Sequence, residues 1–275
     1  RLDRAHARRN VAVNVEAGDR MFLRFSGTLS ALRSYAAHGL DALPHPARLF
    51  FSGPAWFGER SSDAPAFRDE GGLVIVGEEG ATAEALLAEI VWNAIRELGI
   101  PYEAIECRVH ATGCGQCRPR FRSSLGSFLR SRSARLCKVC LVDTRTVPTR
   151  IFGCGEEECR IAARRAPQML DFLCEACTIH LREFFECLDD AGVPYALDGA
   201  LWRDRSWWQR LVFEFGLRIP ASPEGEESGR EQSSAGSSDS VPAVGLLVGE
   251  GGRMSRAAEV LIGKSRPARG LPHST

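Results

Sequence analysis

Eight of the ten cysteines in this 275-residue chain fall into pairs at metal-ligand spacing, all of them between positions 114 and 177. Cys114 and Cys117 form a C-x2-C knuckle, and Cys137 and Cys140 form a second one nineteen residues further on. Each knuckle offers two thiolates from one turn, and two knuckles at this separation suit a tetrahedral Zn²⁺ site of the zinc-ribbon type. The spacing therefore predicts a first metal set of Cys114, Cys117, Cys137 and Cys140. Cys154 and Cys159 with Cys174 and Cys177 make a possible second set. Spacing alone leaves two alternatives open, buried free thiols and disulfides. The arginine-rich opening stretch has no apolar core of the kind a secretory signal carries, so the expectation is a reducing, cytoplasmic compartment. The six histidines are scattered, and none stands at ligand spacing from a knuckle.

Net charge is zero, yet residues 118–165 hold twelve Lys/Arg against four Asp/Glu, an excess of eight positive charges on the cysteine-rich stretch. Such a face suits a phosphate backbone, since counterion release rewards its neutralisation. A merely solvated basic face is the alternative. Arg118, Arg120 and Arg122, just after the first knuckle, are the candidate RNA contacts. No apolar run is long enough to span a bilayer, so no membrane partner is expected.

These residues need elements to position them. Residues 48–56 and 73–76 read as strands. Leu86, Leu87, Ile90, Val91, Ala94, Ile95 and Leu98 form one helical stripe, with Thr82 as N-cap, Glu84 in the first turn and Gly99 at the left-handed C-terminal position. Residues 105–110 alternate, with Ile105, Cys107 and Val109 inward and Glu106, Arg108 and His110 outward, as in a half-buried strand. The cysteine-rich stretch reads as mostly helical. Leu181, Phe184, Phe185 and Leu188 give its last helix an apolar face before Gly192. Residues 207–215 and 244–248 read as strands, 222–240 as a disordered loop, and Gly251-Gly252 as a turn. The expected fold class is α+β, with a core at 1–113 and 191–275 interrupted by a helical insertion at 114–190.

An ordered string of short segments carries a family likeness. Arg24-Phe25-Ser26-Gly27-Thr28, Gly53-Pro54 with Glu59-Arg60, Gly113-Cys114 with Cys117-Arg118-Pro119, Asp171-Phe172-Leu173, Gly192-Val193-Pro194-Tyr195, Arg203 with Val212-Phe213-Glu214, and Gly251-Gly252-Arg253 together resemble histidyl-tRNA synthetase. The resemblance implies a class II synthetase antiparallel sheet flanked by helices, with the insertion in its usual place. It implies condensation of ATP and histidine to an adenylate, then transfer of the histidyl group to tRNA. It also implies ATP with Mg as cofactor, tRNA and histidine as partners, and leaves a homodimer open. By position, Arg203 matches the catalytic arginine, and Thr28, Glu59, Arg60 and Arg253 match ATP- and histidine-binding positions. The family pattern expects a first motif before Arg1, and a third motif and an anticodon-binding domain beyond Thr275.

Several residues depart from the pattern. Phe57 stands where an arginine contacts phosphate, Ser26 where a carboxylate holds the substrate amino group, and Trp207-Trp208 where two tyrosines are expected. A phenyl ring makes no charge-assisted bond to phosphate, a contact of about 1.5–3 kcal/mol. The Arg, Gln and Glu substrate contacts expected after Arg60 are not recognisable in 61–72. The expectation is a synthetase-like protein with a degenerate site. The alternative is a non-catalytic tRNA-binding or regulatory paralogue similar to the ATP phosphoribosyltransferase regulatory subunit.

Overall fold

The structure is a computed structural model that describes residues 12–14, 20–22, 26–56, 67–202, 208–218, 246–255 and 258–259. The disordered-loop reading of 222–240 lies outside them. The chain divides into two compact units, Arg1–Ala83 with Met254–Thr275, and Glu84–Arg253.

In the first unit, β1 (Ala12–Asn14) pairs antiparallel with β2 (Arg20–Phe22). Helix α1 (Gly27–Ala37) is capped by the Ser26 hydroxyl, which accepts from the Leu29 N–H. A long antiparallel hairpin follows, β3 (Ala47–Trp56) with β4 (Phe67–Val76). Glycine is required where helix meets hairpin. A Cβ on Gly27 would lie 2.0 Å from the Phe51 ring, and one on Gly72 2.4 Å from the same ring. Tyr35 on α1 reaches the His45 Nε2 at 2.6 Å, which anchors the helix to the start of β3.

The second unit is built on a four-stranded sheet in the order β6-β5-β7-β8, with β5 (Ile105–Gly113), β6 (Ala196–Leu197), β7 (Gln209–Leu217) and β8 (Leu246–Arg253). The β5·β7 and β7·β8 pairs are antiparallel; the short β6 adds to β5 in parallel. Helix α2 (Thr82–Glu97) lies against one face, where Trp92 packs on Phe215 and Val91 approaches Gly249. Its buried side is Glu84, Ala85, Ala88, Trp92 and Ile95, while Ile90 and Leu98 are exposed. The buried stripe is thus rotated from the one the sequence predicts. Small alanines let the helix sit close, and a paired carboxylate is buried where the periodicity expects an aliphatic residue. Gly99 does adopt the left-handed conformation, φ +80°.

Helices α3 (Cys117–Arg130), α4 (Lys138–Asp143), α5 (Glu157–Arg164) and α6 (Glu175–Asp190) lie between β5 and β6. The first three share a core of Phe121, Leu125, Leu129, Leu136, Ile151 and Met169, filled out by cysteines. On α6, Phe184 stacks on Phe213 of β7, which joins the end of the insertion to the sheet.

Two readings of the sheet change. Glycines 251 and 252 lie within β8 rather than in a turn. A Cβ at Gly251 would meet the Phe213 ring at 2.2 Å, and Gly252 has φ +149° with the Leu211 carbonyl 2.6 Å from its ideal Cβ, so both need glycine for close approach. β5 is buried on both faces, not one. Its outward row is covered because Trp202 packs edge-on against His110 and Phe121 against Trp202.

Candidate metal centres and the polar face beside them

The eight paired cysteines converge on two clusters, but not in the predicted grouping. Cys114 and Cys117 meet Cys174 and Cys177, while Cys137 and Cys140 meet Cys154 and Cys159; within each set the sulfurs lie within 4.8 Å of one another. The first and second knuckles do not share a site. The arrangement is nested, and topology explains it. The insertion leaves the sheet at the end of β5 and returns through α6, so its outermost knuckles meet at its root and its inner pairs meet within the excursion. Spacing identifies a knuckle; it does not say which knuckle it meets.

The local geometry suits thiolates. Cys137 and Cys174 are the N-cap residues of α4 and α6, and Cys114 precedes α3. The second cysteine of each C-x2-C pair is buried in the first helical turn. Helix N-termini and their free N–H groups favour anionic sulfur. In the outer site the Gln116 N–H donates to the Cys114 Sγ at 3.4 Å and the Cys174 N–H to the Cys117 Sγ at 3.1 Å. In the inner site the Cys137 N–H donates to the Cys159 Sγ at 3.3 Å and the Cys140 N–H to the Cys137 Sγ at 3.4 Å. Sulfur pairs stand 3.5, 3.8 and 3.9 Å apart. A tetrahedron with Zn–S bonds of about 2.3 Å has edges of about 3.8 Å. All ten cysteines are free thiols, which removes the disulfide reading.

Electrostatics separates the thiols within a site. Burial raises the Cys114 thiol, but the N–H groups of Cys117 and Gln116 outweigh it and bring the value to about 7. The Cys140 N–H likewise lowers Cys137. Burial raises Cys117, Cys140, Cys159 and Cys177, and neighbouring sulfurs add to the rise at Cys140 and Cys177. Four sulfurs held this close cannot all ionise unaided; a divalent cation removes the conflict by ligating all four. Cys107 and Cys187 join neither cluster, and burial pushes Cys107 up to about 12.

Beside the outer site lies a row of buried polar side chains on one face of β5. Arg108 donates to Asp198 Oδ2 at 3.1 Å and to the fully buried Glu214 Oε2 at 3.4 Å. His110 Nδ1 donates to the Asp198 carbonyl at 3.1 Å, and burial pulls this imidazole down to about 4. Glu106 Oε2, Arg108 Nε, His110 Nε2, Thr112 Oγ1 and Trp202 Nε1 are buried with no hydrogen-bond partner among the described residues. On the opposite face, Glu84 accepts from His180 Nε2 and from Arg253 Nε and Nη2, each at 2.9 Å. Burial alone would raise the Glu84 carboxyl; those hydrogen bonds and charges hold it below its usual range.

No protein-family model matches the chain. It is 28% identical over 241 residues to the histidine–tRNA ligase of Halothermothrix orenii, covering 85% of this chain and 56% of that protein. It is 32% identical over 203 residues to that of Desulfitobacterium hafniense, covering 73% of this chain and 47% of the relative. The fold matches that of apo histidyl-tRNA synthetase from S. aureus with a TM-score of 0.61 at 23% identity, over 78% of this chain and 50% of that one. The chain is histidine–tRNA-ligase-like. The fold also matches a Bacillus halodurans protein described as an ATP phosphoribosyltransferase regulatory subunit/histidyl-tRNA synthetase, with a TM-score of 0.57 at 14% identity, over 92% of this chain and 63% of that one. The chain spans about half the length of the curated ligases it matches.

In this histidine–tRNA-ligase-like chain, two of the described candidates, Arg118 and Arg253, have partners within the fold. Thr28 is half-buried in the first turn of α1, and Ser26 caps that helix. Arg253 belongs to the buried Glu84 cluster. Arg118 donates through Nε to the Thr112 carbonyl at 3.0 Å and through Nη2 to the Trp208 carbonyl, tying α3 to β5 and to the start of β7. Arg120 and Arg122 are exposed. The Trp208 indole fills the space over Gly252. Phe57, Glu59, Arg60, Arg203 and Trp207 lie outside the described residues. The sequence reading missed Glu70, whose Oε2 accepts the Gly27 N–H at 3.0 Å and so brings a carboxylate to the α1 terminus beside Ser26. An acidic residue opposite Gly53 in the hairpin register is the one faint signal for it.

Proposed function

We propose that this chain is the core of a histidine–tRNA-ligase-like protein that binds tRNA through a zinc-stapled, basic insertion and has weak or no ability to activate histidine. The nested cysteine clusters carry the proposal. Each would hold one structural Zn²⁺, which supplies a fixed tetrahedral cross-link and no turnover chemistry. The outer ion, on Cys114, Cys117, Cys174 and Cys177, would close the insertion at its root. The inner ion, on Cys137, Cys140, Cys154 and Cys159, would set the shape of the surface that carries the exposed arginines. The ligases named above act on tRNA and histidine, and by family ATP with Mg would bind the core. Phe57, Ser26 and the paired tryptophans argue for a weakened adenylation step, because charge developing on the α-phosphate loses a guanidinium and the substrate amino group loses a carboxylate. Glu70 tempers the second loss, since it restores a carboxylate near Ser26.

Two assays test this together. Histidine-dependent ATP–pyrophosphate exchange is expected to be undetectable or very weak, and Phe57→Arg alone is not expected to rescue it. A labelled tRNA is expected to bind with strong salt dependence. Robust exchange, or no tRNA binding at low salt, overturns the corresponding half of the proposal.

A further inference from the structure

A cavity of about 390 Å³ opens between α5 and the chain that returns to the sheet. Phe152, Ala163 and Ala200 form its apolar part, Arg160 and Arg164 stand beside them, and Gln168 adds a carboxamide. Cys154, a member of the inner cysteine cluster, borders it, so a metal ion bound by that cluster would also fix the cavity wall. Its size falls in the range of about 300–1,000 Å³ typical of small-molecule sites.

The charges suggest what enters. Both arginines bind one carboxylate, Glu157: Arg160 through Nη2 to Oε2, and Arg164 through Nη2 to Oε1 at 3.4 Å. The two guanidiniums share this one carboxylate beside the apolar wall, in a segment where Glu156, Glu157 and Glu158 balance Arg160, Arg164 and Arg165. All three side chains are more than half exposed, so this pairing contributes little to stability and yields readily to a competing anion. Arg165, next along the chain, is exposed as well. An aromatic ring, a hydrogen-bonding amide and adjacent guanidiniums are the groups that hold an unstacked base together with its phosphate. A paired base cannot reach such a cavity, because its faces are covered by its neighbours.

We infer that this cavity takes one unstacked nucleotide from a single-stranded segment of the RNA bound by the insertion. The inference rests on the RNA-binding reading above and sharpens it to a strand state. Most of its wall, from Ile151 to Gln168, belongs to the insertion, and Gly199 and Ala200 come from the chain between β6 and β7.

The test uses the full chain loaded with zinc and two fluorescent probes, a short single-stranded oligoribonucleotide of mixed sequence and the duplex of that sequence. Ala163→Phe and Ala200→Phe each fill the cavity from a different wall and leave the arginines in place. Both variants are expected to keep the wild-type zinc content, to weaken single-strand binding about tenfold, the usual worth of one stacked base, and to leave duplex binding unchanged. Unchanged single-strand affinity in both fillers, with wild-type RNA binding intact, overturns the cavity assignment and spares the RNA-binding reading. Equal weakening for strand and duplex overturns it too, since the cavity would then serve only the general surface. If the wild type binds neither probe at low salt, the RNA-binding reading itself fails, and this inference goes with it.

Discussion

The cysteine-rich insertion and the sheet face beside it both gather ionisable groups, but with opposite outcomes. In the insertion, eight thiols converge in two groups of like acidity, with backbone N–H groups turned towards them. Such a set is incomplete in itself and calls for a cation from outside. On the sheet, opposite charges meet: Arg108 finds Asp198 and Glu214, and Arg253 finds Glu84. Those charges meet opposite charges within the fold. Like charges brought together mark a ligand site, whereas opposite charges brought together mark structure, and the contrast can be broken by experiment.

The largest effect is expected from the metal sites. Cys177→Ser should lower the zinc content of the purified chain from two ions to one and destabilise the insertion by several kcal/mol, since a structural zinc contributes about 10–16 kcal/mol of apparent binding energy. Elemental analysis and urea unfolding report both. Cys154→Ser should also remove one ion, but with a loss smaller by about 1 kcal/mol. Cys114 and Cys174 of the outer site are 60 positions apart and Cys137 and Cys154 of the inner one 17, and closure entropy grows as the logarithm of loop length. If neither variant changes the metal content, the clusters are groups of buried thiols and the contrast collapses.

Glu84→Gln addresses the other side. It removes the carboxylate that Arg253 and His180 share in a buried setting. The expected cost is about 3–5 kcal/mol, because one partner of a buried ion pair is removed. Unfolding of Glu84→Gln at neutral pH measures it. A loss under about 1 kcal/mol would mean that water reaches the cluster and that it behaves as a surface pair.

These two regions also differ in how far the sequence revealed them. The knuckles were legible because C-x2-C spacing is a local property, one turn deep. Their pairing was not, because it depends on where the chain leaves and rejoins the sheet. The hairpin, α2, β5 and β7 were legible from periodicity, yet the buried side of α2 was misplaced because Glu84 is polar until its partner arrives from 169 residues away. The outward row of β5 read as solvent-facing for a similar reason: Trp202, which packs on His110, is distant in sequence. Arg118 and Arg120 look alike in a string of basic residues. Only the carbonyls of Thr112 and Trp208 distinguish them.

The covered row of β5 predicts a pH dependence. Burial pulls His110 down to about 4, against an ordinary value near 6.5. Below pH 6.5 the unfolded chain takes up a proton that the folded chain refuses until about pH 4. Stability should therefore fall as pH is lowered through that window, by at most about 1.4 kcal/mol per pH unit from this group. Zinc release in acid would act in the same direction, so the measured quantity is the difference between wild type and His110→Gln at matched pH and zinc. A difference that stays constant from pH 7 to pH 4.5 would show that His110 is hydrated.

The smallest effect separates two kinds of arginine within one basic stretch. Arg118 commits its guanidinium to two carbonyls, while Arg120 and Arg122 face solvent on α3. Arg118→Ala should lower stability by about 1.5–3 kcal/mol, the usual worth of a hydrogen bond from a charged group, and should leave the salt dependence of RNA binding unchanged. The double variant Arg120→Ala/Arg122→Ala should do the reverse. Stability stays within about 0.5 kcal/mol of wild type, and the slope of log K against log salt flattens by about two units at most, one for each phosphate no longer neutralised. Stability and slope are independent measurements, so each arginine is judged on both. If Arg118→Ala flattens the slope as the double variant does, its carbonyl contacts give way to phosphate when RNA arrives, and the division between structural and ligand-facing charge fails where it is most finely drawn.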